Sequence, residues 1–170
     1  MVRGILFGAL IAACVAHADT LAPELAPVQF LIGDWTGQGK SEGNTTDRGR
    51  SSIKPIVGGH ALLRRDHNDV SDAKGKLVES FDQVMTIYPE GGALKADYLD
   101  GAHVIHYVHA DVKDGQSVQF VTATSAQAPT FRLTYTKASP GTLAIKFEME
   151  APGQNDFHTV AEGTVTRKKP

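Results

Sequence analysis

Apolar and polar residues alternate through most of this chain. The clearest run is Leu143, Ile145, Phe147 and Met149, which alternate with Ala144, Lys146, Glu148 and Glu150. A period of two places the first set on one face of a β-strand and the second on the other, facing solvent. Phe131, Leu133 and Tyr135 likewise stand opposite Arg132, Thr134 and Thr136. Phe81, Met85 and Ile87 share a face, as do Leu94, Ala96 and Tyr98. In the last run, Phe157, Thr159, Ala161, Gly163 and Val165 form the more apolar side. Together these patterns predict strands over 34–41, 46–57, 59–67, 78–88, 92–99, 102–112, 116–124, 130–137, 142–150 and 157–167. Gly58-Gly59, Gly91-Gly92, Asp100-Gly101 and Asp114-Gly115 fall in the breaks, and such pairs are hairpin chemistry. No pattern of helical length separates the strands, so parallel crossover units are excluded.

One short helix is predicted, over about 27–32, from the spacing of Val28, Leu31 and Ile32 after Pro27. It would act as a lid on the first strand. The segment from Asp66 to Lys76 is the most polar connection, and Asp66, Asp69 and Asp72 are expected there as solvated loop residues. A meander of about ten antiparallel strands exposes two edges unless it closes. The predicted fold is therefore all-β, an antiparallel up-and-down barrel, with a two-sheet sandwich as the alternative.

The first strand carries Gly33-x-Trp35-x-Gly37-x-Gly39. Trp35, Gly37 and Gly39 share a face, which combines the only tryptophan with two absent side chains. Closure would set Gly37 and Gly39 beside Ala161 and Gly163 of the last strand. Such a wall leaves room beside it, and a barrel of this size can enclose a ligand. Met85, Tyr98, Phe120, Tyr135 and Phe147 complete the expected lining, with Tyr hydroxyls to orient a guest.

Length and charge narrow the picture. A chain of 170 residues argues for one domain. The net charge of −2 and the scattered Lys and Arg argue against a nucleic-acid or anionic-membrane partner, and the basic end Arg167 to Lys169 reads as a solvated tail. At the N-terminus, Arg3, the apolar stretch 4–15 and Ala16-His17-Ala18 form an export signal, too short to span a bilayer. Cleavage after residue 18 leaves a domain over 19–170 with one cation fewer, at −3. Ile11-Ala-Ala-Cys14 also fits a lipoprotein signal over 1–13, with Cys14 lipidated as the only membrane anchor. The expected location is periplasmic or secreted, or lipid-anchored in the envelope under the second cut. The mature domain has no other cysteine, so no disulfide framework is available.

Chemistry-bearing motifs are sparse. His103, His106 and His109 are spaced as on a helix, but on a strand His106 points away from the other two. Whether His106 faces in depends on the face of strand 102–112. With Val104, Val108 and Ala110 inward it is inside, and with Ile105 and Tyr107 inward it is outside. There is no nucleophile motif, phosphate loop or paired carboxylate set, so no catalytic residue and no metal site is assigned.

Gly33-Asp-Trp-Thr-Gly-Gln-Gly39 resembles the first strand of nitrobindins, ten-stranded barrels that hold heme, and its Gly-x-Trp part resembles the opening of lipocalins. The segments 57–63, 131–137, 141–148 and 162–168 resemble a large uncharacterised family of secreted bacterial barrels, over about Val28 to Lys168. These resemblances imply a lipocalin- or nitrobindin-like barrel with a short N-terminal lid helix. The nitrobindin resemblance implies heme with an axial histidine in the last strand, for which His158 is the nearest position, His106 and His60 being alternatives. The expected function is binding of a small apolar or amphipathic molecule. The alternatives are heme binding and an envelope protein with a filled barrel whose outer face meets a protein partner.

Overall fold

The computed structural model describes residues 20–41 and 45–169. Residues 1–18, with both cleavage sites and Cys14, lie outside the described residues. Ten strands run β1 (Gly33–Ser41), β2 (Thr45–Ile56), β3 (Ala61–Ser71), β4 (Leu77–Glu90), β5 (Ala93–Leu99), β6 (Val104–Lys113), β7 (Ser117–Thr122), β8 (Thr130–Ser139), β9 (Thr142–Glu150) and β10 (His158–Arg167). Each pairs antiparallel with its neighbour in sequence, and β1 pairs with β10 to close a barrel. Closure removes both edges, which answers the edge problem posed by a meander.

The predicted strands all form. The main differences lie at β3 and β4, which extend to Ser71 and start at Leu77, so Asp66 and Asp69 belong to a strand and the loop shrinks to 72–76. The seam between first and last strands pairs Gly39 with Gly163, but Gly37 with Val165 and Ser41 with Ala161. Gly37 also faces Gly49 of β2. A Cβ at Gly37 would stand 2.1 Å from the Thr164 carbonyl oxygen, and one at Gly39 2.6 Å from that of Glu162. The glycines therefore permit a close backbone approach between β1 and β10, besides thinning the wall.

Of four register shifts among the described strands, two reset the alternation at residues expected to face the lumen. Between Tyr107 and His109 the register of β6 shifts. Ile105 and Tyr107 point inward before it and Ala110 after it, leaving His106 outside. Between Thr159 and Ala161 the register of β10 shifts. Thr159 then sits opposite Glu148 on the outer face, and Phe157 lies beneath the Arg132 guanidinium at 3.9 Å, also outside. The uninterrupted apolar face expected from Phe157 to Val165 is thus broken in two, because a bulge adds one residue and flips the side chains beyond it.

One end of the barrel is plugged. A 3₁₀ helix, Pro23–Leu31, crosses it and buries Leu25, Val28 and Leu31 completely. These pack on Trp35, Ile53, Leu62, Met85, Ile87, Ala96, Val118 and Phe120. The helix is 3₁₀ and starts earlier than expected, with Pro27 inside it. Its end is fixed from the barrel wall. Trp35 Nε1 donates to the Leu31 carbonyl at 2.9 Å. Arg167 stacks on the Trp35 ring at 4.3 Å, and its guanidinium donates to the Ile32 and Phe30 carbonyls. Arg167 is therefore a clamp on the plug, not part of a solvated tail, and it satisfies carbonyls that a helix end leaves open.

Candidate functional site: the open half of the barrel

Beyond this plug the barrel is hollow. A cavity of about 960 Å³ opens at the end carrying the β3–β4, β5–β6 and β9–β10 loops. One wall is apolar and comes from the cleanest alternating strands. Phe131, Leu133 and Tyr135 of β8 stand beside Leu143, Ile145 and Phe147 of β9. Phe131 and Phe147 stack with centroids 5.6 Å apart. The wall that continues from β9 is small: Ala161 and Gly163 of β10, then Gly37 and Gly39 of β1, then Gly49 and Ser51 of β2. Its small residues create the space that the large residues of β8 and β9 would otherwise fill.

Of the lining expected from sequence, Trp35, Gly37, Gly39, Tyr98, Tyr135 and Phe147 border the cavity. Met85 and Phe120 do not. Both are fully buried in the hydrophobic core that includes Leu25, Val28 and Leu31 of the helix. The three histidines considered as heme ligands also stand apart. His106 is 71% exposed on the outer face and binds Asp97 at 2.6 Å through Nδ1. His60 caps the short 3₁₀ turn Val57–Gly59 and is exposed, and His158 opens β10 at the exposed rim opposite Met149. The histidine that borders the cavity is His103, at the mouth, held by Asp100 at 3.2 Å. Among the described residues no group of three His, Cys, Asp or Glu is arranged to hold a metal ion.

Polar side chains at the cavity floor were not singled out from sequence. Arg64 of β3 is 6% exposed. Its Nε lies 2.7 Å from Asp66 Oδ2 without the alignment of a hydrogen bond, and Nη1 donates to the Tyr135 hydroxyl and lies 3.6 Å from Met85 Sδ. The guanidinium also sits 5.9 Å from the Tyr98 ring centroid. Burial works against its charge, but Asp66 and Tyr135 outweigh burial and hold its pKa above the ordinary value. Burial raises the Tyr135, Tyr98 and Tyr107 hydroxyls above their ordinary range, against the pull of Arg64, so all three remain protonated donors at neutral pH. Asp66, expected in a solvated loop, instead points into the lumen with its side chain 10% exposed, and Gln83 Nε2 donates to it at 3.2 Å. The missed signal was alternation through a charged stretch. With Leu62 inward, Arg64, Asp66, Asn68 and Val70 must follow it inward.

A second buried charge lies on the outer wall. Glu148, expected to face solvent, is 4% exposed. Arg132 Nε donates to it at 2.7 Å, Nη2 at 3.0 Å, and Lys146 Nζ stands at 2.8 Å. The hydrogen bonds from Arg132, then that from Lys146, push its pKa down to about 2 against the opposing effect of burial. This pair ties β8 to β9 behind the apolar wall of the cavity.

No family model matches the chain. No curated protein matches it either. Among solved structures, the chain is similar to an S-type phycobiliprotein lyase, CPES, from Guillardia theta, at 10% identity over 83% of this chain and 90% of the other, with a TM-score of 0.50. It is also similar to EF1p2_mFAP2b bound to DFHBI (12% identity, 85% of this chain and 99% of the other, TM-score 0.48). A third likeness is to a DUF3598 family protein of unknown function from Nostoc punctiforme (8% identity, 87% and 100%, TM-score 0.30). At these identities the likeness is one of fold. No helix among the described residues is long and apolar enough to cross a membrane.

Proposed function

We propose that this protein is an exported, lipocalin-like barrel that takes a small apolar or amphipathic molecule into its open half. The observation that carries the reading is the cavity of about 960 Å³ within a closed barrel, walled by the Phe131–Phe147 stack, Leu133 and Ile145. Cavities of this kind, in the range of roughly 300–1,000 Å³ with a few convergent polar groups, are where proteins hold small molecules. The filled-barrel alternative describes only the plugged half. Export rests on the sequence of residues 1–18.

The test is a neutral fluorescent probe, N-phenyl-1-naphthylamine, titrated with the purified protein. Saturable enhancement at one site is expected, abolished in Ala161→Trp, which places an indole in the cavity from the small-residue wall. Absence of enhancement in the parent protein, or enhancement unchanged in the folded variant, would overturn the reading.

A further inference from the structure

The cavity is not electrically neutral. Asp47 and Glu79 occupy its upper wall, Asp66 its floor and Asp100 its mouth, while Arg64 is the cation on an inward row. Arg50 and Glu162 also border the cavity, from the alternate rows of β2 and β10. β2 separates charge by alternation. Asp47 and Gly49 line the lumen, whereas Arg48 and Arg50 fall at the intervening, outward positions. His103 borders the mouth, but its imidazole is engaged by Asp100.

Among the described residues, three buried side-chain polar atoms lack a hydrogen-bond partner: the donor Arg64 Nε, which already stands 2.7 Å from the Asp66 carboxylate, and two acceptors. The acceptors are Asp66 Oδ1 and Asp47 Oδ1. Asp66 is compensated in charge by Arg64. Asp47 is not. Its Oδ2 accepts from the neutral Ser41 hydroxyl, and no described cation pairs with it. A partly buried carboxylate without a counter-charge is costly, and a cation that enters the site removes that cost. Glu79 stands on the same level, one strand beyond Val70, since Asp47 pairs with Val70 and Val70 with Glu79. Two strand spacings put these carboxylates roughly 10 Å apart across the upper wall. Below them lies the apolar wall of Phe131 and Phe147.

Building on the lumen-binding reading, we infer that the guest is an amphipathic cation, an amine with an apolar body. The body packs against Phe131 and Phe147, and the ammonium donates to Asp47 with Glu79 on the same rim. An alkyl carboxylate would meet like charge at Asp47 and Glu79 and find Arg64 already neutralised by Asp66. A matched alcohol would satisfy one acceptor but leave the Asp47 charge unpaired.

The test is competition against N-phenyl-1-naphthylamine by n-octylamine, 1-octanol and octanoate at neutral pH, for the parent protein and Asp47→Asn, with folding verified by circular dichroism. In the parent protein octylammonium should displace the probe at least about tenfold more tightly than octanol, with octanoate weakest. Asp47→Asn should collapse the amine's advantage over octanol by about tenfold while leaving octanol itself within about twofold. Octanoate binding as tightly as octylamine, or an amine preference unchanged in Asp47→Asn, would overturn the assignment of charge while the cavity reading stands. If Asp47→Asn does not fold, the parent protein's order of the three ligands decides. Failure of the probe itself to bind would bring down the cavity reading and this one together.

Discussion

The two halves of this barrel are built from the same ten strands and behave as opposites. Around the lid helix, Leu25, Val28, Leu31, Trp35, Met85 and Phe120 close every gap, and Arg167 and the Trp35 indole fix the helix carbonyls. Toward the mouth, Gly37, Gly39, Gly49, Ala161 and Gly163 replace large side chains, and carboxylates replace apolar ones. The plugged half holds the fold, since large buried apolar side chains carry the hydrophobic term. The open half gives up that term for space. A solid end lets the other end stay hollow without the sheet collapsing on itself, as closure alone does not supply enough burial.

Substitutions can separate the halves, and the largest effect is expected at the plug. Trp35→Ala should cost about 3–5 kcal/mol by chemical denaturation, because it removes a buried ring, the bond to Leu31 and the stacking surface for Arg167. A loss under about 1 kcal/mol would mean that the plug does not carry the fold. Gly37→Ala should follow at roughly 2–3 kcal/mol, since its Cβ meets backbone that cannot yield. That variant tests the seam, not the cavity, and a neutral result would show that β10 can move away from β1.

Intermediate effects belong to the outer face behind the cavity wall. Glu148→Gln should cost about 1–2 kcal/mol, a figure discounted because Arg132 and Lys146 are partly exposed. The sign of its pH dependence follows from the depressed pKa. The carboxylate's contribution is complete above its unfolded value of 4.5 and is lost as pH falls toward about 2. Acid denaturation of Glu148→Gln should therefore be flatter over that window than that of the parent, and parallel curves would remove the pair from the account. The smallest stability effect is expected in the open half. Ala161→Trp should stay within about 1 kcal/mol of the parent because it enters empty space, yet it should abolish probe binding. His106→Ala should change neither stability beyond about 0.5 kcal/mol nor probe binding, its ring being an exposed partner of Asp97. Loss of probe binding in His106→Ala would mean that the outer face reports on the cavity.

Much of the fold was legible. Ten alternating runs, Gly-rich breaks and the absence of helical periods led to a closed antiparallel barrel, and Gly39 does meet Gly163 across the seam. These features are local, or follow from edges having to pair. The apolar wall of Phe131, Leu133, Tyr135 and Phe147 was legible for the same reason. The charged floor was not. Arg64 and Asp66 look solvated in sequence because charge usually is, and only their place on the inner row of β3 pairs them inside.

Trp35, Gly37 and Gly39 were expected to share an inward face from sequence alone, and they do, as backbone pleating dictates where the strand is regular. Tertiary structure decided what periodicity cannot count. The inward Ile105 and Tyr107 leave His106 outside, and the bulge in β6 lets Ala110 face in with them. The bulge in β10 puts Phe157 and Thr159 outside, and Met85 and Phe120 fall in the core that the helix joins instead of the cavity. A bulge is one extra residue without a signature of its own here, and the depth of a side chain along a barrel depends on strand stagger and on what fills the end. The alternation told which way each side chain points; packing alone told what it meets.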